Sequence, residues 1–357
     1  MKNRIIKFSG GNSSFAVAAW VKENYPDDNI VLYFNDVMWE DADLYRFNLD
    51  VSKQLQLPLL VQGRGINPPQ LMVLKAFLAN NRAGFCSQEL KIKVAQRFLK
   101  KGIVPELEYW VNGKYLKQSI HVERNDEFFA NTTLYFGIGW EEMHREKSIY
   151  ENWQPFDVQF PLIMEIDDRK QYFDRYNVTE GRLYKEGFAH NNCGGRCVKA
   201  GQGHFHNLSI KREQDFIKLM EQEIIIGWYA RYVRQPTFKK IYKRYTFDEL
   251  LAHVRNPEDF PLEVDPMFKD VYQFATDGTK TAKLQHIIDT HRFTKNNIFG
   301  QLKQSKKDIK EPLSFMKNLT LEEYWRSMKA QLSIFDFDMQ DIGGCGCSVD
   351  YGTCTID

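Results

Sequence analysis

Two cysteines four residues apart flank a glycine pair in His190-Asn191-Asn192-Cys193-Gly194-Gly195-Arg196-Cys197, and two more stand near the end of the sequence in Gly344-Cys345-Gly346-Cys347. A glycine turn can aim both sulfurs of the first pair at one point. Together Cys193, Cys197, Cys345 and Cys347 would make a four-thiolate site for zinc or an iron–sulfur cluster, and thiolate softness suits either. The competing reading is a pair of reduced turns that hold nothing, and Cys354 could replace one of the four. A second chemistry is written at the N-terminus. Ile5-Ile6-Lys7-Phe8 is a short apolar run, Ser9-Gly10-Gly11-Asn12-Ser13-Ser14 follows it, and Phe15-Ala16-Val17-Ala18-Ala19 begins a helical pattern. Strand, glycine turn and helix start are thereby adjacent. Glycine lets backbone approach a ligand closely, and the first amides of a helix are unpaired and partly positive, so the turn is suited to phosphate.

Three further clusters could act beside that turn. Asn35-Asp36-Val37-Met38-Trp39-Glu40-Asp41 ends the second apolar run, and ligands of open α/β sheets bind at the carboxyl ends of strands. Asp36 is the candidate there to face a ribose hydroxyl, an adenine amino group or Mg²⁺. The alternative is that Asp36, Glu40 and Asp41 cap the next helix. Arg82-Ala83-Gly84-Phe85-Cys86-Ser87-Gln88-Glu89-Leu90-Lys91 opens a helix and offers Arg82 and Lys91 to phosphate. In Gly137-Ile138-Gly139-Trp140-Glu141-Glu142-Met143-His144-Arg145, Gly137 and Gly139 permit close approach. Glu142 or His144 could serve as acid, base or metal ligand, and Arg145 could grip phosphate with two bonds. An ordinary surface role for His144 stands beside that reading.

The elements that must position these residues follow from the pattern. In the first half, buried strands at 4–8, 29–34, 58–61, 132–136 and 158–162 alternate with helices at 13–23, 41–55, 68–80 and 86–100, the rhythm of a parallel α/β sheet. The polar, aromatic-rich stretch 104–131 breaks it and reads as an insertion. Short helices at 167–176 and 179–186 lead into a helical region over 206–340, with an amphipathic helix at 210–232 and another at 247–255. A helix at 320–330 opens with the capping-box spacing of Thr320 and Glu323. Residues 303–311 form a charged connector, and 341–357 is a cysteine-rich tail without periodicity.

Composition bounds the function classes. The 357 residues carry net charge +1 and are 43% hydrophobic and 27% charged, which is ordinary for a globular protein and gives no global polycationic signature. No apolar run is long enough to span a bilayer, and no signal-peptide core follows Met1, so a cytoplasmic protein is expected. In that compartment six cysteines point to metal or redox chemistry rather than to a disulfide scaffold.

In order, the N-terminal loop, the Cys86-Ser87…Lys91 segment, Gly137–Arg145 and Gly187–Gln202 resemble the PP-loop ATP pyrophosphatase (adenine nucleotide alpha hydrolase-like) superfamily. Within it, the chain is similar to the PAPS reductase-like and DNA phosphorothioation sulfurtransferase-like branch, of the kind found in phages and mobile elements. The likeness spans residues 1 to about 205 and the cysteine tail. One departure is that Ser13 stands where the loop motif usually has Asp. The resemblance implies a Rossmann-like (HUP-type) parallel sheet with helices on both faces over 1–205, followed by the helical region. It implies ATP as ligand, with Mg²⁺, and cleavage to AMP and pyrophosphate to activate an acceptor. The expected role is sulfur or related group transfer to tRNA or DNA, with a sulfur-donor protein as a further partner. Ser9, Gly10, Gly11, Asn12, Ser13 and Ser14 would cradle the phosphates, with Asp36 and Gly137 beside them and Lys91, Glu142 and Arg145 as catalytic groups. Two alternatives remain: a sulfonucleotide reductase, whose Glu-Cys-Gly-x-His-like tail has only a loose echo in Gly344-Cys345-Gly346-Cys347, and a non-catalytic nucleotide-binding sensor in phage defence, which the Ser13 departure favours. A structural zinc module that binds a partner is a third class.

Overall fold

The structure, a computed structural model, describes residues 1–75, 77–80, 84–233, 273, 314–316 and 319–330. The expected helix at 247–255, the charged connector, the tail with Cys345, Cys347 and Cys354, and Arg82 all lie outside the described residues. Those described fall into two units. One comprises Met1–Ile66 and Phe85–Cys197, the other Asn67–Gly84 and the described part of Val198–Gly343.

The first unit is built on a mixed, predominantly parallel six-stranded sheet: β1 (Asn3–Lys7), β2 (Asn29–Asp36), β3 (Leu59–Gly63), β4 (Leu107–Val111), β5 (Thr132–Tyr135) and β6 (Asp157–Gln159). Its spatial order is β4-β3-β2-β1-β5-β6. Every pairing is parallel except β3 with β4. The central strands β1, β2, β3 and β5 are buried along their whole length because both faces are covered. Alternation along β1 sends Ile6 to one core with Leu32, Phe34, Phe47 and Leu59, and Ile5 to the other with Val31, Leu60, Phe98 and Leu134. The register Ile5↔Val31 and Ile6↔Leu32 keeps those sets in line. Burying a side chain such as Leu32 or Phe34 contributes about 1.5–3 kcal/mol, and a one-residue slip would expose the whole row.

Helices cover both faces. On the first lie α1 (Asn12–Asn24) and α2 (Ala42–Gln54), which bring Phe15 and Phe47 to the Ile6 core. After α3 (Pro68–Lys75), the chain makes a π-turn at Ser87–Ile92 and enters α4 (Lys93–Lys101). Phe98 of α4, with Ile149 and Trp153 of α6 (Glu146–Trp153), covers the second face. The stretch 104–131 supplies the antiparallel edge strand β4 and α5 (Asp126–Ala130). The strand expected at 158–162 is shorter than its apolar run. It ends at Gln159 because Pro161, which has no amide to give the sheet, starts α7 (Pro161–Met164). Two short helices, α8 (Gln171–Tyr176) and α9 (Arg182–Lys185), precede the cysteine turn.

In the second unit, α10 (Gln202–Lys211) and α11 (Glu213–Val233) replace the single helix expected at 210–232, with Arg212 as the break. The boundaries differ from one run over 1–205 because α3 packs with α11. In α12 (Leu321–Ala330) the capping box forms: the Glu323 amide donates to Thr320 Oγ1 at 3.1 Å and the Thr320 amide to Glu323 Oε2 at 3.0 Å. Glu223 of α11 is buried and accepts from the Phe315 and Leu321 amides, both at 2.6 Å. Burial pushes its carboxyl up to about 8.

Candidate functional site

The chain lays down β1, β2 and β3 outward in one direction, then returns to the other side of β1 for β5 and β6. At the reversal the chain leaves β1 for α1 on one face and β5 for α6 on the other, and the carboxyl ends of such strands are where ligands enter open α/β sheets. Both glycine segments singled out in the sequence meet there. Gly10 has φ +77°, and a Cβ on it would lie 2.8 Å from Leu44 Cγ and from Asn48 Oδ1. A Cβ on Gly137 would lie 2.8 Å from the Ser14 amide nitrogen and 2.9 Å from the Ser13 carbonyl carbon. Gly137 is therefore what lets the end of β5 seat against the first turn of α1.

The loop is held from three sides. Ser14 Oγ donates to the Gly11 carbonyl at 2.8 Å and accepts from the Ser9 amide at 3.2 Å. Asn191 Nδ2 donates to the Gly10 carbonyl at 3.0 Å, and the Asn12 amide donates to Tyr184 Oη at 3.3 Å. The Asn12 side chain donates to Glu180. Ser13 Oγ accepts from Arg169 at 2.9 Å, so a cation faces this side of the loop. The amides of Ser13 and Ser14 belong to the first turn and have no intrahelical acceptor. No residue of the α1 first turn is acidic, and Gly11 at the N-cap supplies no side-chain cap.

Buried cations stand on the β1–β2 side. Lys91, on the π-turn, is 4% exposed and lies 3.4 Å from Glu40 Oε1. Burial works against its charge, but Glu40, Cys193 and Cys197 outweigh it and hold the ammonium above its ordinary range. Glu40 Oε2 accepts from the Cys193 amide. Glu40 is therefore not the helix cap that its position allowed; Asp41 is, accepting from the Asp43 amide at 2.8 Å. Asp36 is buried with Oδ1 accepting from the Met38 amide at 2.7 Å and from Tyr45 Oη at 2.8 Å, which fixes the turn after β2. Arg145 is buried and paired with Glu142 in the turn Trp140–Arg145, whereas His144 is exposed.

Lys7 is the residue that sequence reasoning passed over. It is 5% exposed at the end of β1, and its Nζ donates to Asn35 Oδ1 at 2.9 Å and sits 4.0 Å from the Tyr33 ring centroid. No carboxylate contacts it among the described residues. Burial first, then repulsion from Lys91, drives its pKa well below the usual lysine range. Asn35 Nδ2 donates on to Tyr33 Oη at 3.3 Å, and Tyr33 Oη to Gln62 Oε1 at 2.6 Å, a polar row crossing under the sheet. The available signal was a lysine directly after the Ile5-Ile6 pair at the end of the strand. Tyr184, Asn191 and Arg169 were missed because nothing in their spacing points to the loop.

Cys193 and Cys197 are brought together, buried and within sulfur hydrogen-bond contact, with no disulfide between them. Their expected partners Cys345 and Cys347 lie outside the described residues. Among the described residues, no group of three or more His, Cys, Asp or Glu is placed to hold a metal ion. No described helix is long and apolar enough to cross a membrane. Comparison of the chain with family models, curated proteins and solved structures finds no match.

Proposed function

We propose that the first unit has a Rossmann-like, HUP-type fold that binds ATP at Ser9–Ser14 and cleaves it to AMP and pyrophosphate, activating an acceptor for sulfur or related group transfer to nucleic acid. One observation carries this reading. The glycine loop and the first turn of α1 lie at the strand-order reversal, packed against Gly137, with first-turn amides that have no intrahelical acceptor. Buried cations support it: Lys91 beside Glu40, and Arg145 beside Glu142, would oppose charge developing on the phosphates. Asp36 is the acidic side chain at the end of β2 that would serve Mg²⁺ or the ribose. Trp140, 62% exposed just after Gly139, offers a ring to a base.

The test is product analysis with ATP and candidate tRNA or DNA acceptors, paired with calorimetry on Gly10→Val. The reading expects AMP with pyrophosphate, and loss of ATP binding in the folded variant. ADP with orthophosphate, or unchanged affinity in Gly10→Val, refutes it. A sensor that binds ATP without cleaving it is the second reading, favoured by the Arg169–Ser13 contact where an acid is usual. Ser13→Asp separates the two: gain of Mg²⁺-dependent turnover in the variant, with none in the parent, supports the sensor.

A further inference from the structure

The cysteine turn has an unusual backbone. Cys193, Gly194 and Gly195 have φ of 57°, 56° and 76°, three left-handed residues in succession. The Arg196 amide closes the turn on the Cys193 carbonyl at 2.9 Å. This curl folds the chain back so that the thiols of residues 193 and 197 are within hydrogen-bond reach of each other. A non-glycine residue in that conformation costs about 1 kcal/mol, and such strain concentrates at functional positions. The same turn is tied to the candidate site by two bonds: the Cys193 amide donates to one oxygen of Glu40, and the other oxygen faces Lys91 Nζ at 3.4 Å. The charged groups that bear on the sulfurs are thus one ammonium and one carboxylate. The Cys197 sulfur, then burial and Glu40, push the Cys193 thiol well above its ordinary range against the pull of Lys91, so Cys193 keeps its proton, and the ammonium facing the pair repels a divalent metal ion.

We propose that Cys193 and Cys197 are a redox pair that closes to an intrachain disulfide on reaction with a low-molecular-weight disulfide, and that closure alters the candidate site through Glu40 and Lys91. The second half rests on the reading of Lys91 as a phosphate-facing cation; the first half does not. One cysteine thiolate attacks the S–S bond of the oxidant, forming a mixed disulfide and expelling one thiolate. The second cysteine thiolate then attacks the protein sulfur of that mixed disulfide, forming the Cys193–Cys197 bond and expelling the other. The two protons of the protein thiols end on the two released thiols, and the two electrons reduce the oxidant. Drawing the two sulfurs into a bond shifts the turn and with it the Cys193 amide, so Glu40 and Lys91 must follow.

The experiment is an anaerobic titration of the full chain in buffers of oxidised and reduced glutathione. Alkylation and peptide mass mapping read the cysteines, and ATP affinity is measured in the same samples. The proposal expects the peptide joining residues 193 and 197 to lose two hydrogens at a single midpoint, before Cys86 reacts, and ATP affinity to change severalfold at that midpoint. Cys193→Ser/Cys197→Ser should bind ATP with no dependence on the buffer. Thiols 193 and 197 that stay alkylatable throughout, or one equivalent of bound zinc that protects both, would overturn the redox pair. A disulfide with unchanged ATP affinity overturns the coupling. A disulfide in a protein that binds no ATP in any buffer upholds the redox pair and refutes the nucleotide reading instead.

Discussion

Replacing Lys7 with Met should stabilise the fold and weaken the site. At neutral pH the buried Lys7 either carries a charge with no carboxylate in contact or gives up its proton. Holding an amine of ordinary pKa 10.5 neutral at pH 7 costs at most about 5 kcal/mol, 3.5 units at about 1.4 kcal/mol each. Met fills a similar volume and packs on the Tyr33 and Trp153 rings, but it leaves Asn35 Oδ1 without its donor, a loss of about 1–3 kcal/mol. The expected net gain is about 1–4 kcal/mol, or about 2–4 °C per kcal/mol for a unit of 150–250 residues. The sign with pH follows from the depressed pKa. The contribution of Lys7 to stability is fully present above 10.5 and is lost as pH falls through its folded value, so the advantage of Lys7→Met is largest at low pH and fades toward 10.5. Urea denaturation of both proteins from pH 6 to 10 measures this. ATP calorimetry on the same samples should show weaker binding, since a residue kept against stability is kept for another reason. A Lys7→Met variant less stable than the parent at pH 7, or a gain that does not change with pH, would show that the lysine is a structural member of the polar row.

Three other changes test other parts of the reasoning. Gly137→Ala places a Cβ against the Ser13–Ser14 backbone, so it should destabilise by about 1–3 kcal/mol and lower ATP affinity; a neutral effect on both, by melting and calorimetry, would contradict the close approach. Lys91→Ala leaves Glu40 buried without its cation and should destabilise by about 3–5 kcal/mol, whereas Lys91→Met/Glu40→Gln should recover most of the stability and none of the ATP turnover, as denaturation and product assays would record. Glu223 has its folded pKa raised to about 8 from 4.5, so its contribution to stability is full below pH 4.5 and is lost as pH rises through 8; Glu223→Gln should flatten that slope in denaturation curves, and an unchanged slope would place the titration elsewhere.

What was legible in the sequence is what local physics decides. An apolar run ending in Ser9-Gly10-Gly11 before Phe15-Ala16-Val17 could only be strand, turn and helix, since glycine frees φ at residue 10 and the spacing sets each period. The box of Thr320 and Glu323 is equally local, because both bonds run within one helical turn. So is the turn at Cys193–Cys197. The break at Arg212 and the early end of β6 were missed because an apolar run does not mark its own last hydrogen bond.

Strand order decided the rest. Gly137 reaches Ser13 and Ser14 only because β5 returns to the open side of β1, and Asn191 and Tyr184 reach the loop across some 170 to 180 residues. Sequence alone offered Glu40 as a helix cap; it became the buried link between Lys91 and Cys193 because the π-turn and the cysteine turn converge on it. Lys7 looked like one polar residue in a strand until β2 and α6 closed over it. Periodicity fixes which side a residue faces, whereas the environment on that side is made by segments far along the chain. The amino-acid sequence thus determined most of the elements and the glycine turn between β1 and α1, and tertiary packing decided which charges are buried beside it.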